Sequence, residues 1–175
     1  TLLAERMPGM QSAAMTLLLP AGSSTDPIER LGSATVLSDL IRIDTTNDGT
    51  DDGPGERQAA EYAATRLSNA GLEPRILESA PRRANLVTRW PGADPSRPPL
   101  LVHGHLDVVP ARAADWSVDP FAGEVKDGFV WGRGAIDMKQ FIAQLLVLVE
   151  QRAATGRPPA RDVLLTFTAD EEHSG

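Results

Sequence analysis

The chain has 175 residues, 41% of them hydrophobic, with 17 Lys and Arg against 24 Asp and Glu, three His and no Cys. One domain of ordinary size is expected, and disulfides, thiolate metal sites and cysteine nucleophiles are excluded. The formal charge of −7 argues against nucleic acid as a partner, because affinity for phosphates rests on Lys and Arg.

Residues 13–19, AAMTLLL, predict a short apolar strand stopped by Pro20 and Gly22. The same region resembles a signal-peptide core, but Thr16 and Pro20 interrupt it and Glu5 offsets Arg6, so no signal peptide is expected. A helix follows, capped by Thr25 or Asp26, with Pro27 in its first turn and Ile28, Leu31, Val36, Leu37, Leu40 and Ile41 as its apolar face. Residues 45–55 form a polar, glycine-rich loop, and a second helix over 56–70 is closed by Gly71. Strands at 75–78 and 85–90 precede a Pro-rich turn at 91–99.

Leu100, Leu101 and Val102 are a continuous apolar run, as in a strand buried on both faces. Lys126-Asp127-Gly128 lies between two apolar segments and signals a hairpin. Residues 138–153 are apolar nearly all round, so this helix should be largely buried, and its apolar run at 141–149 is too short to cross a membrane. Residues 162–168 read as another buried strand. Helices alternating with apolar strands predict an α/β fold, a mainly parallel sheet with helices on both faces. No membrane partner is expected, and the cytoplasm is the default location.

Three clusters carry the chemistry, each at the end of an element. In HGHLDVVP, 103–110, His105 and Asp107 are two apart at a strand end and share a face. A metal-binding His gives its other ring N–H to a carboxylate or carbonyl, and Asp107 is placed to receive it. In WGRGAIDMK, 131–139, Asp137 falls where a helix begins. In TADEEHSG, 168–175, Glu171 and Glu172 would face opposite ways on an extended chain, one free to bind metal and the other to act as a base. Each cluster has a plain reading: a capping His, a helix N-cap, a solvated acidic turn. Their gathering outside the carboxyl ends of strands, where open α/β sheets place ligands, favours a joint site. His103 is expected to be packed or bonded to backbone, His173 to be exposed, and Lys139 to support the fold rather than the chemistry.

From about Val36 to Gly175 the chain resembles the dizinc hydrolases that include acetylornithine deacetylase, succinyl-diaminopimelate desuccinylase, aminoacylase and carboxypeptidase G. The likeness rests on HGHLDVVP, on the hairpin leading into GRGAIDMK, on DEE at 170–172, and on RIDTTND at 42–48. It implies that His105 binds one zinc, Glu172 the other, and Asp137 bridges them, with Asp107 orienting His105 and Glu171 as general base. It also implies amide hydrolysis of an N-acyl amino acid or small peptide, with cobalt or manganese able to stand in for zinc.

The family's catalytic domain continues beyond DEE and supplies a third ligand to each zinc, so the fold is expected to be incomplete relative to it, with an open sheet edge favouring self-association. Residues 5–27 are instead similar to the opening strand of the pitrilysin and mitochondrial-processing-peptidase group, without its His-x-x-Glu-His motif. The expected division is therefore 1–35, of different apparent origin, and 36–175, a partial dizinc catalytic domain. The alternative to an enzyme is a catalytically incomplete chain that binds metal weakly or serves only as an association module.

Overall fold

The computed structural model describes residues 2–5, 14–17, 32–50 and 52–174. Strands β1 (Leu2–Glu5) and β2 (Ala14–Leu17) pair antiparallel with each other, Leu2 opposite Leu17. The helix start and cap expected at residues 25–31, and most of the pitrilysin-like stretch 5–27, lie outside the described residues.

Helix α1 (Gly32–Arg42) buries Val36, Leu40 and Ile41, the latter part of the apolar face read from the sequence. Helix α2 (Arg57–Asn69) buries its Ala59, Ala60, Ala63 and Leu67 stripe, and the chain leaves it through Gly71 with φ +86°. Strands β3 (Arg75–Ala80) and β4 (Arg83–Trp90) form a hairpin, β5 (Leu100–His105) follows, and β6 (Glu124–Lys126) with β7 (Phe129–Trp131) makes a second hairpin. Asp127 and Gly128, at φ 53° and 81°, are the paired left-handed residues of the tight turn. Gly128→Ala should destabilise the chain by about 1 kcal/mol, the cost of a Cβ in that region, readable by denaturant titration. Helix α3 (Lys139–Ala154), strand β8 (Val163–Thr168) and the short helix α4 (Glu171–Ser174) complete the order.

The main sheet runs β3-β4-β8-β5. The expectation of a mainly parallel sheet is corrected, because the sheet is mixed and only β5 and β8 run parallel. The cause is local: β3 and β4 are joined by a turn too short for a crossover, whereas β5 reaches β8 through α3. Helices on both faces are likewise not seen among the described residues. The three long helices contact one another and share one core with Leu86, Leu165 and Phe167, on a single side of the sheet.

The run 100–102 was expected to be buried on both faces, yet β5 is an edge strand and Leu101 stays 60% exposed. Leu101, His103 and Leu77 belong to the side of the sheet that no described helix covers. Helix α3 is buried as expected, with Leu148 the exposed large apolar residue along it. Among the described residues no helix is long and apolar enough to cross a membrane.

Candidate metal centre

Parallel pairing of β5 with β8 sets His105 opposite Thr168, so the two chains leave the sheet side by side. The N–H of Leu106 donates to the Thr168 carbonyl at 2.8 Å and extends the pairing one step into the HGHLD loop. On the other flank, 45–47 runs beside 106–108. Thr45 Oγ1 donates to the Leu106 carbonyl at 2.7 Å, and the Asn47 N–H donates to that of Val108 at 2.9 Å.

Three side chains from three elements converge above these ends. The ligand-capable atoms of His105, Asp137 and Glu172 all lie within 4.8 Å of one another. His105 is only 4% exposed. Its Nδ1 faces Asp107 twice, at 3.1 Å from the backbone carbonyl and 3.3 Å from Oδ1, while its Nε2 stands 3.1 Å from Asp137 Oδ1. With Nδ1 committed to Asp107, Nε2 is the nitrogen left for a cation.

Asp137 is not the helix cap that its position allowed. The N-cap of α3 is Met138, and the Asp137 carboxylate is 74% exposed and turned to His105. Its loop can approach because Gly134, at φ 77°, has no side chain: a Cβ there would stand 2.6 Å from Val108 Cγ1.

The DEE segment is not extended. Asp170 takes φ 67° and the chain turns into α4, so the opposite-facing argument from strand alternation does not apply. What separates the two glutamates is the helix start. The Glu172 N–H donates to Asp107 Oδ2 at 2.9 Å and its carboxylate joins the ligand cluster. Glu171 is 52% exposed, with Oε2 at 3.8 Å from His105 Nε2.

The electrostatics follow from this crowding of carboxylates. Burial pulls the His105 imidazole down, but the carboxylates of Asp107 and Asp137 outweigh it and hold its pKa up at about 9. Burial pushes Asp107 up, and His105, Asn47 and the N–H groups of Glu172 and Glu171 overcome it, leaving about 2. Burial and the neighbouring Asp137 charge push Glu172 upward. One imidazole whose outer nitrogen faces the Asp137 carboxylate, among mutually repelling carboxylates, fits a divalent cation that displaces its proton.

The other histidines stand apart. His103 is exposed with Nε2 at 3.0 Å from Thr168 Oγ1, so it is neither packed nor bonded to backbone, because β5 is an edge. His173 is exposed, lies outside the ligand cluster, and sits over Gly49, where a Cβ would meet its ring at 2.1 Å. Lys139 is fully buried and donates to the carbonyls of Leu40 and Ile43, the structural role read for it. Sequence reasoning missed Asn47, Arg83 and Glu56, which lie behind Asp107. The only signal was that 42–48 is similar to a family loop.

Residues 101–175 match the peptidase family M20/M25/M40. This segment belongs to that family. The relatives agree: aminoacylase-1 of Sus scrofa is 35% identical over 144 residues, 82% of this chain and 34% of its own length. Succinyl-diaminopimelate desuccinylase of Delftia acidovorans is 37% identical over 123 residues, 68% of this chain and 32% of its own. The chain thus spans about a third of the length of these M20 relatives.

The fold is shared with human carnosine dipeptidase 1 at TM-score 0.67 and 23% identity, covering 82% of this chain and 32% of that one. It is shared equally with the di-peptidase Dug1p from Saccharomyces cerevisiae, at TM-score 0.68 and 24% identity over 81% and 32%. The M20 match begins beyond the segment 5–27 and lends its pitrilysin likeness no support.

Proposed function

We propose that this chain forms part of the centre of a metal-dependent amide hydrolase acting on N-acyl amino acids or small peptides. The observation that carries the reading is the meeting of His105, Asp137 and Glu172, drawn from three separate motifs, within 4.8 Å. Relatives named as aminoacylase, desuccinylase and dipeptidase support the same bond type.

In this reading the residues hold two zinc ions, which cobalt or manganese can replace. His105 would hold one and Glu172 the other, with the Asp137 carboxylate available to both. Such cations polarise a carbonyl oxygen and lower the pKa of water. Glu171 is the general base: it borders the cluster without joining it, and its carboxylate is half-exposed. That carboxylate takes a proton from the attacking water and returns it to the departing amine nitrogen. Asp107 fixes the ring of His105 through Nδ1. Residues 36–175 carry this centre, and the open β5 edge is the surface for self-association.

The test is elemental analysis of zinc on the dialysed chain. About two ions per chain are expected from a bridged pair. A single ion would mean that the three donors share it. No retained zinc would sink the metal centre.

A further inference from the structure

Behind Asp107 a polar chain links Asn47, of the RIDTTND segment, to Arg83 and Glu56, which no sequence motif contains. Asn47 is 2% exposed, and its Nδ2 donates both to Asp107 Oδ2 at 3.0 Å and to Asp170 Oδ1 at 2.9 Å. Its Oδ1 accepts from the Gly49 N–H at 3.0 Å and from an Arg83 guanidinium nitrogen, also at 3.0 Å. Arg83 is in turn paired with buried Glu56 at 2.7 Å and donates to the Thr50 carbonyl at 2.9 Å.

These partners fix which way the amide points. Turned over, its oxygen would face two carboxylates and its NH2 would face a guanidinium and an N–H. Asn47 therefore joins the two loops by donation alone, one hydrogen to the HGHLD loop and one to the DEE turn. Asp107 Oδ2 receives both Asn47 Nδ2 and the Glu172 N–H, so the same oxygen registers Glu172 against His105.

We propose that Asn47 is a positioning residue for the centre, holding Asp107 and Asp170 in register so that His105 and Glu172 present their ligand atoms together. The inference rests on the metal-centre reading for its function and on the hydrogen-bond geometry for its mechanism. Arg83 and Glu56 serve it by locking the amide: Arg83 donates to Asn47 Oδ1 and is itself paired with Glu56.

Asn47→Asp is the sharp test, because it keeps shape and volume. The new carboxylate still accepts from Arg83 and Gly49, so a role limited to holding the 47–50 loop survives the change. Donation to the two carboxylates is lost and an oxygen then faces Asp107 Oδ2 and Asp170 Oδ1 with like charge, whereas Asn47→Ala removes the donation without that repulsion. Asn47→Ala is the companion, and thermal unfolding of the metal-free variants checks that both fold.

Two readouts on the 175-residue chain separate this proposal from the reading beneath it. The first is the His105 Nδ1–H proton resonance of the metal-free chain. It should be present in the parent and lost by exchange in both variants, while backbone amide signals of β4 and α3 stay in place. The second is cobalt affinity by visible absorption, which should fall about 10- to 100-fold in both variants. Should the parent bind no cobalt while the Nδ1–H signal behaves as described, the metal reading falls and the positioning role stands. An Nδ1–H signal and a cobalt affinity unchanged in folded Asn47→Asp would overturn the proposal.

Discussion

His105→Ala and Glu172→Ala should each weaken zinc binding by more than about 100-fold, since groups that merely support a ligand already cost about 10- to 100-fold when removed. The measurement is competition with a chromophoric chelator. Variants that bind like the parent would place the metal elsewhere or nowhere. Binding should also be a proton exchange. His105, held near pKa 9, keeps its proton at neutral pH and spends Nε2–H on Asp137, so a cation must displace that proton. Uptake at pH 7 should release about one proton, and affinity should climb about tenfold per pH unit up to about pH 9. Calorimetry in buffers of different ionisation enthalpy reads the proton directly. Without metal the sign reverses. A folded pKa raised above 6.5 lends stability in full below that value and loses it as the pH rises through about 9. Metal therefore contributes most where the protonated ring contributes least.

His105, Asp137 and Glu172 are legible in the sequence because each lies at or near the end of an apolar element, in a motif that resembles one of the dizinc hydrolases. The hairpin at Asp127-Gly128 and the buried helix 139–154 are legible for local reasons, turn chemistry in one and apolar content in the other. Strand order is not local. Nothing in LLV at 100–102 says that β5 lies at an edge, since a buried strand and an edge strand awaiting a cover carry the same run. The turn at Asp170 is hidden too, because a left-handed Asp looks like any other Asp until its neighbours are placed. Asn47, Arg83 and Glu56 come together only in space: Asn47 lies 60 positions from Asp107 and 123 from Asp170.

Lys139→Ala should destabilise the fold by about 4 kcal/mol, lowering the unfolding temperature by about 10 °C. The side chain is fully buried, and Nζ donates at 3.0 and 2.8 Å to the carbonyls of Leu40 and Ile43, at the end of α1 where helical partners run out. Truncation leaves a cavity, takes the donor from the Ile43 carbonyl, and leaves the Leu40 carbonyl only the Ile43 N–H at 3.2 Å. Lys139→Met separates these costs by keeping the bulk and removing only the donor. It should lose about 2 kcal/mol, and parent-like stability would mean the two bonds contribute nothing. The pH dependence gives an independent check. Burial lowers the Lys139 amine from 10.5 to about 8, so between those values the unfolded chain binds the extra proton and folding grows more favourable as pH rises. That rise should vanish in Lys139→Met, while the opposing fall from His105 remains. The placement matters for the centre as well: Lys139 stands two residues after Asp137 and clamps the chain at Ile43, four residues before Asn47. One buried amine thus ties the loop bearing the central carboxylate to the loop bearing the amide that registers the other two motifs.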